Sequence, residues 1–186
     1  MAYETYNQIA WSDGTPISSD RLQQMSTNSE LIKTTTEGYA KGVLKYAEIG
    51  SNTADIANAT EVDVISFTGL TVGSSRWIRF TFNTPGIKID DGDEEENQYH
   101  FRLVEGTAYA SGRIAEWNFG IPDSNGMGAK QIAGGSYTVF LDSSATGIDN
   151  KTYTIFVKRS AGTNVYKVLG NPTSTTQLFA EDCGAS

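Results

Sequence analysis

One cysteine and one histidine stand in 186 residues, Cys183 and His100. A single cysteine rules out a disulfide within the chain and any zinc site built from paired cysteines. A single histidine leaves little from which to build a Ser-His-Asp triad or an imidazole metal site. Charged residues make up only 19%, below the roughly 25% of an average soluble domain. Basic charge is the scarcer sign, with 14 Lys and Arg against 22 Asp and Glu and a net charge of −8. Binding along a nucleic acid needs a basic face, so that partner class is not expected, and neither is an anionic membrane surface. Nothing approaches the ~18 uncharged apolar residues of a membrane-spanning helix. The opening Met1-Ala2-Tyr3-Glu4 has neither a basic n-region nor an apolar h-region, so no secretion signal is expected.

Glycine (19 residues), serine, threonine and asparagine take up the space that helix formers leave. From about Val43 onward the apolar residues recur every second position. In Arg76-Trp77-Ile78-Arg79-Phe80-Thr81-Phe82, Trp77, Arg79 and Thr81 share one face and Ile78, Phe80 and Phe82 the other. Tyr99, Phe101 and Leu103 alternate in the same way, with His100 on the opposite face. Further strands are expected at 61–67, at 137–141 after a Gly134-Gly135 break, at 153–159, at 165–169 and at 177–181. Ser160–Asn164 reads as a hairpin connection between two of them. No helix-sized pattern separates these strands, which removes a parallel βαβ sheet. The expected fold class is mainly β, an antiparallel β-sandwich or jelly roll spanning residues 46–186.

Residues 1–45 read differently, as an arm and a helix. Asp13-Gly14 is a turn signal ahead of Pro16. With Ser18 as N-cap, Ile17 and Leu22 stand at the N′ and N4 positions of a hydrophobic staple, and Asp20 lies in the first turn. Leu22, Met25, Ile32, Tyr39, Val43 and Tyr46 fit a seven-residue stripe. Gly38 and Gly42 weaken a helix by about 1 kcal/mol each, placing its end near Glu37. The stripe fits either a short coiled coil joining copies of the chain or a surface helix lying on its own domain.

Sites for chemistry are few. Asp90–Glu96 holds six acidic residues, and an oxygen-rich loop of this kind can bind calcium. The EF-hand spacing is missing, and a dense run of like charge ordinarily stays in water, so no cofactor is expected. His100 sits in no recognisable catalytic motif, and no nucleophile elbow, zinc-protease helix or phosphate loop occurs. An enzyme is not expected. Trp77, Tyr109, Trp117 and Phe119 are candidates for a sugar-stacking platform, although aromatics of a sandwich more often fill its core. If a ligand surface exists, Tyr109, Trp117 and Asn125, the last of them in the Gly-rich 124–128 stretch, are the residues to watch.

Trp11-x-Asp13-Gly14-Thr15-Pro16-Ile17-Ser18-x-Asp20-Arg21-Leu22-x-x-Met25 resembles the N-terminal attachment segment of tailed-bacteriophage structural proteins, the minor tail, fibre or appendage proteins. The body is similar too, through Ala59-Thr60-Glu61-Val62-Asp63, Arg76-Trp77-Ile78-Arg79 and the closing Phe179-Ala180-Glu181-Asp182-Cys183-Gly184. Gln23-Gln24, where an asparagine is expected after the leucine, and the acidic run depart from the family pattern. The resemblance implies a non-enzymatic virion protein, usually a homotrimer, with its arm docked on tail, portal, collar or capsid proteins. Its β body would be exposed on the particle surface as a fibre, an appendage or a head decoration. Docking and self-association would fall to Trp11, Asp13, Gly14, Pro16, Ile17, Leu22, Met25 and Ile32. A carbohydrate-binding module for host attachment, with a host surface glycan as partner, is the alternative.

Overall fold

Period-two alternation from Gly42 to the last residues produces nine strands among the described residues. The structure, a computed structural model, describes residues 23, 42–56, 60–89, 97–121, 130–162, 165–170 and 172–186. By its own contacts the chain divides into two units, 1–40 and 41–186, and these nine strands all belong to the second. Gln23 has helical backbone; the remainder of the expected helix lies outside the described residues, as do Trp11, Asp13, Gly14, Pro16, Ile17, Leu22, Met25 and Ile32.

The strands are β1 (Gly42–Ile49), β2 (Val62–Val72), β3 (Arg76–Ile89), β4 (Asn97–Glu105), β5 (Gly112–Ile121), β6 (Lys130–Asp142), β7 (Ile148–Ala161), β8 (Tyr166–Val168) and β9 (Thr176–Ala185). One sheet runs β1-β9-β3-β6, with the short β8 also paired to β3. The other runs β2-β7-β4-β5, and every pairing is antiparallel. With β8 set aside, the pairs nest: β1 with β9, β2 with β7, β3 with β6, β4 with β5. That nesting is the jelly roll, so the expected fold class holds.

The core lies where the inward halves of the two alternations meet. Ile78, Phe80 and Phe82 of β3, Tyr99, Phe101 and Leu103 of β4, and Tyr153, Ile155 and Val157 of β7 are all buried. Phe80 meets Tyr153 with ring centroids 4.7 Å apart, and Phe82 meets Phe101 at 5.1 Å, both tilted as ring quadrupoles prefer. Each such ring contributes about 1.5–3 kcal/mol by burial.

Three local expectations change. Val43 and Tyr46 belong to β1 and not to a helical stripe, so strand begins a few residues ahead of 46; pairing with β9 satisfies this backbone along its length. Gly134-Gly135 is no break but the middle of β6. A side chain at Gly134 would overlap the Thr84 carbonyl and Pro85, so glycine lets β6 pass close to β3. The hairpin expected across Ser160–Asn164 is not formed between β7 and β8, because β8 pairs with β3 in the other sheet. Tyr166 and Val168 are buried there, and that burial outweighs the local turn signal. Beyond the expected strands, β5 takes in Trp117-Asn118-Phe119-Gly120.

Candidate functional site

The two sheets differ in what they turn outward. On the second sheet, His100 and Arg102 of β4 stand opposite Asn118 and Glu116 of β5. Glu116 accepts from Arg102 Nε at 2.7 Å and lies 3.2 Å from His100 Nδ1. Burial works to raise the pKa of Glu116. The hydrogen bond and charge of Arg102, helped by His100, overcome this and hold it below the ordinary carboxylate value. A carboxylate held ionised is a poor general acid.

The 106–111 turn folds onto this face. Gly106, at φ +124°, donates its N–H to the Thr152 carbonyl at 2.8 Å, and Thr154 Oγ1 donates to the Gly106 carbonyl at 2.8 Å. The turn thus sets Tyr109 edge-on against Phe156 at 6.0 Å, with the Arg102 guanidinium 3.8 Å from the ring centroid and Lys158 Nζ at 5.4 Å. Lys158 also donates to Glu61 at 2.8 Å, and that bond is the main cause lowering the Glu61 pKa. Chemically this face is a lattice of matched charges around one tyrosine.

Four large apolar side chains are exposed on the outer face of the first sheet, among polar and charged neighbours. Val43 is 56% exposed, Phe140 55%, Tyr46 43% and Trp77 42%. Tyr46 stacks on Phe179 with centroids 4.9 Å apart. Among these apolar groups lies one surface ion pair, Arg79 Nε to Glu181 Oε2 at 2.8 Å.

Where β3 begins, the same sheet buries a second pair. Arg76 grips Asp182 through Nη2 to Oδ2 at 2.6 Å and Nε to Oδ1 at 3.0 Å, with both side chains inaccessible. Gly184 N–H donates to Asp182 Oδ1 at 2.9 Å, and Arg76 N–H donates to Ser143 Oγ at 2.9 Å. This network ties β9 and the end of β6 to the start of β3. Arg76-Trp77-Ile78-Arg79 and Glu181-Asp182-x-Gly184, two of the body segments behind the family resemblance, are therefore joined to each other by Arg76–Asp182 and Arg79–Glu181. The signal was available: Arg76 has the parity of Ile78, and Asp182 that of Leu178 and Ala180. A charge on an apolar face needs a buried partner.

Of the sugar-stacking candidates, Trp77, Tyr109 and Trp117 do not share a surface. Trp117 stands opposite Phe101 and packs on Phe82 and Tyr137, at centroid distances of 6.2 and 5.6 Å, so it faces the interior. Tyr109 is on the outside of that sheet and Trp77 on the outside of the other. Alternation decides this, since Trp117 and Glu116 are neighbours in one strand and must point apart. Asn125 and the Asp90–Glu96 calcium candidate lie outside the described residues. Among the described residues no three His, Cys, Asp or Glu side chains gather as a metal would require. A depression of about 730 Å³ is lined by Gly50, Ser51, Asn52, Pro85, Leu169, Gly170, Pro172 and Ser174, none of them ionisable. No known family model matches the chain, and no curated protein is significantly similar to it.

Proposed function

We infer that this chain is a non-enzymatic structural component of a bacteriophage particle, docked by its N-terminal arm and projecting the jelly roll as an appendage, fibre or head decoration. The observation that carries this reading is the outer face of the first sheet. Val43, Tyr46, Trp77 and Phe140, the large hydrophobics exposed among the described residues, all stand on that face, and exposed apolar side chains of this size suit a surface that subunits cover on assembly. The sequence resemblance of residues 11–25 supplies the virion context, and with it the homotrimer and its neighbours on tail, portal, collar or capsid. The second sheet, with its charges matched, suits the side turned to the medium. Mass spectrometry of purified particles from the phage that encodes the chain tests the reading. The expected result is the chain in mature particles at a copy number divisible by three; its absence from them overturns the proposal.

Host attachment through a surface glycan is the second reading, and Tyr109 on the charged outer face of the second sheet favours it. Trp117, facing the interior, has no part in it. A glycan array probed with the full chain is expected to show binding that Tyr109→Ala removes. No binding at millimolar ligand ends it.

A further inference from the structure

The depression of about 730 Å³ is built from segments that flank strands of the first sheet: the residues after β1, the residues between β8 and β9, and Pro85 of β3. Its walls are tied to one another. Thr53 N–H donates to the Val168 carbonyl and Val168 N–H to Thr53 Oγ1, both at 2.9 Å. Leu169 N–H donates to the Gly86 carbonyl at 2.9 Å, and Thr176 Oγ1 to the Leu169 carbonyl at 2.7 Å. A Cβ on Gly170 would stand 2.7 Å from the Ser51 carbonyl oxygen and 2.8 Å from that of Ile49, so only glycine lets these segments close on each other. A hollow framed in this way exists before any ligand arrives, and its volume falls within the roughly 300–1,000 Å³ of small-molecule clefts.

The lining selects the chemistry. Pro85, Leu169 and Pro172 offer carbon, whereas Ser51 and Ser174 offer hydroxyls and Asn52 an amide. Asn52 Oδ1 accepts from Gly170 N–H at 3.0 Å, which orients the amide and leaves Nδ2 to donate to a ligand. An apolar ligand would cover these polar groups without pairing them. A charged ligand would meet no counter-charge on the described lining, and an anion would also be repelled by a chain at −8. A neutral sugar matches both halves of the surface: its ring C–H groups lie against proline and leucine, and its hydroxyls donate and accept toward serine and asparagine.

We propose that this depression binds a short neutral saccharide, with Ser51, Asn52 and Ser174 as its polar contacts and Pro85, Leu169 and Pro172 as its carbon wall. The site is separate from Tyr109, which stands on the outer face of the other sheet beside Arg102, and the proposal goes beyond both readings above. Strand β1 gives the site a direction. Its first residue, Gly42, is where the N-terminal residues join, and the depression begins after its last, Ile49, about 24 Å further along at ~3.4 Å per residue. A body docked through its N-terminal residues carries the depression at the end of β1 remote from that junction. A saccharide held at about 1 mM leaves within milliseconds and is washed from an array, so the array reports on Tyr109 and not on this site.

Saturation-transfer NMR on the full-length chain tests it, with maltotriose, cellotriose and triacetylchitotriose as neutral probes and sialyllactose as the charged one. At least one neutral probe is expected to bind with a Kd of about 1 mM, and sialyllactose is expected not to bind. Ser51→Leu/Ser174→Leu puts carbon where the hydroxyls stand, at two exposed positions. It is expected to weaken binding about tenfold or more while the far-UV spectrum stays unchanged. Labelling of the unaltered chain needs no variant: a diazirine derivative of the bound trisaccharide is expected to mark residues 50–52 or 169–174. Silence from all three neutral probes, sialyllactose binding as strongly as they do, equal binding in the folded variant, or a label elsewhere overturns the proposal. A label on the 106–111 turn would return the saccharide to Tyr109.

Discussion

The two sheets of this jelly roll handle charge in opposite ways. The first buries its tightest ion pair, Arg76–Asp182, and presents Val43, Tyr46, Trp77 and Phe140 to solvent. The second places Arg102–Glu116 and Lys158–Glu61 on its outer face around Tyr109. The second sheet shows water its paired charges, whereas the large hydrophobics exposed among the described residues all stand on the first.

The sharpest way to break the comparison is through the pair that the first sheet hides. Arg76→Met or Asp182→Asn leaves one buried charge unmatched and is expected to cost about 3–5 kcal/mol in urea unfolding. Arg76→Met with Asp182→Leu restores most of that, because a buried pair contributes little net stability beyond an apolar replacement. If Arg79→Met, on the surface, costs as much as Arg76→Met, the distinction between hidden and displayed pairs fails.

On the second sheet the expected effect is smaller and depends on pH. The folded Glu116 carboxyl titrates below its ordinary value of 4.5. Its stabilisation is complete above that pH and is lost as pH falls through the folded pKa. Glu116→Gln is expected to lower stability at neutral pH by about 1 kcal/mol or less and to flatten the decline below pH 4.5. A decline as steep as in the unaltered chain would show that Glu116 is not its source.

Tyrosine hydroxyls separate the core from both faces. Those of Tyr99 and Tyr166 are buried without a hydrogen-bond partner among the described residues, whereas Tyr153 reaches Glu105 at 3.4 Å. Burial pushes the Tyr166 pKa up to about 12. The neutral hydroxyl is thus favoured by folding, and its contribution, full below pH 10, is lost as pH rises toward 12. Tyr166→Phe is expected to be neutral or stabilising by up to about 1 kcal/mol, since an unpaired buried hydroxyl is removed. A loss above 1 kcal/mol would mean that the hydroxyl has a partner.

The smallest change in stability belongs to the carbon face. Phe140→Ser is expected to shift unfolding by no more than about 0.5 kcal/mol. A large destabilisation would mean that Phe140 already packs within its own subunit.

Alternation made the sandwich legible. In 76–82 and 99–103 one parity is wholly apolar from Ile78 onward, and each of those residues is buried. Features set by the approach of distant segments were not legible. Gly134-Gly135 has the local chemistry of a turn, and only the nearby backbone of Thr84 and Pro85 explains why it is strand. Residues 160–164 have the composition of a hairpin, yet β8 after them pairs with β3 in the other sheet, where Tyr166 and Val168 are buried. Composition does not separate Trp117 from Tyr109 as aromatic candidates; strand β5 does, because parity alone sends Trp117 inward. Asp182 could have been matched to Arg76 by parity, but nothing local indicates which strands lie side by side.

Removing residues 1–40 tests the division into anchor and projecting body most directly. The account predicts that residues 41–186 unfold cooperatively with the strand content of the full chain and are absent from purified particles. A shortened chain that still joins particles at the normal copy number would contradict it, as would one that cannot fold.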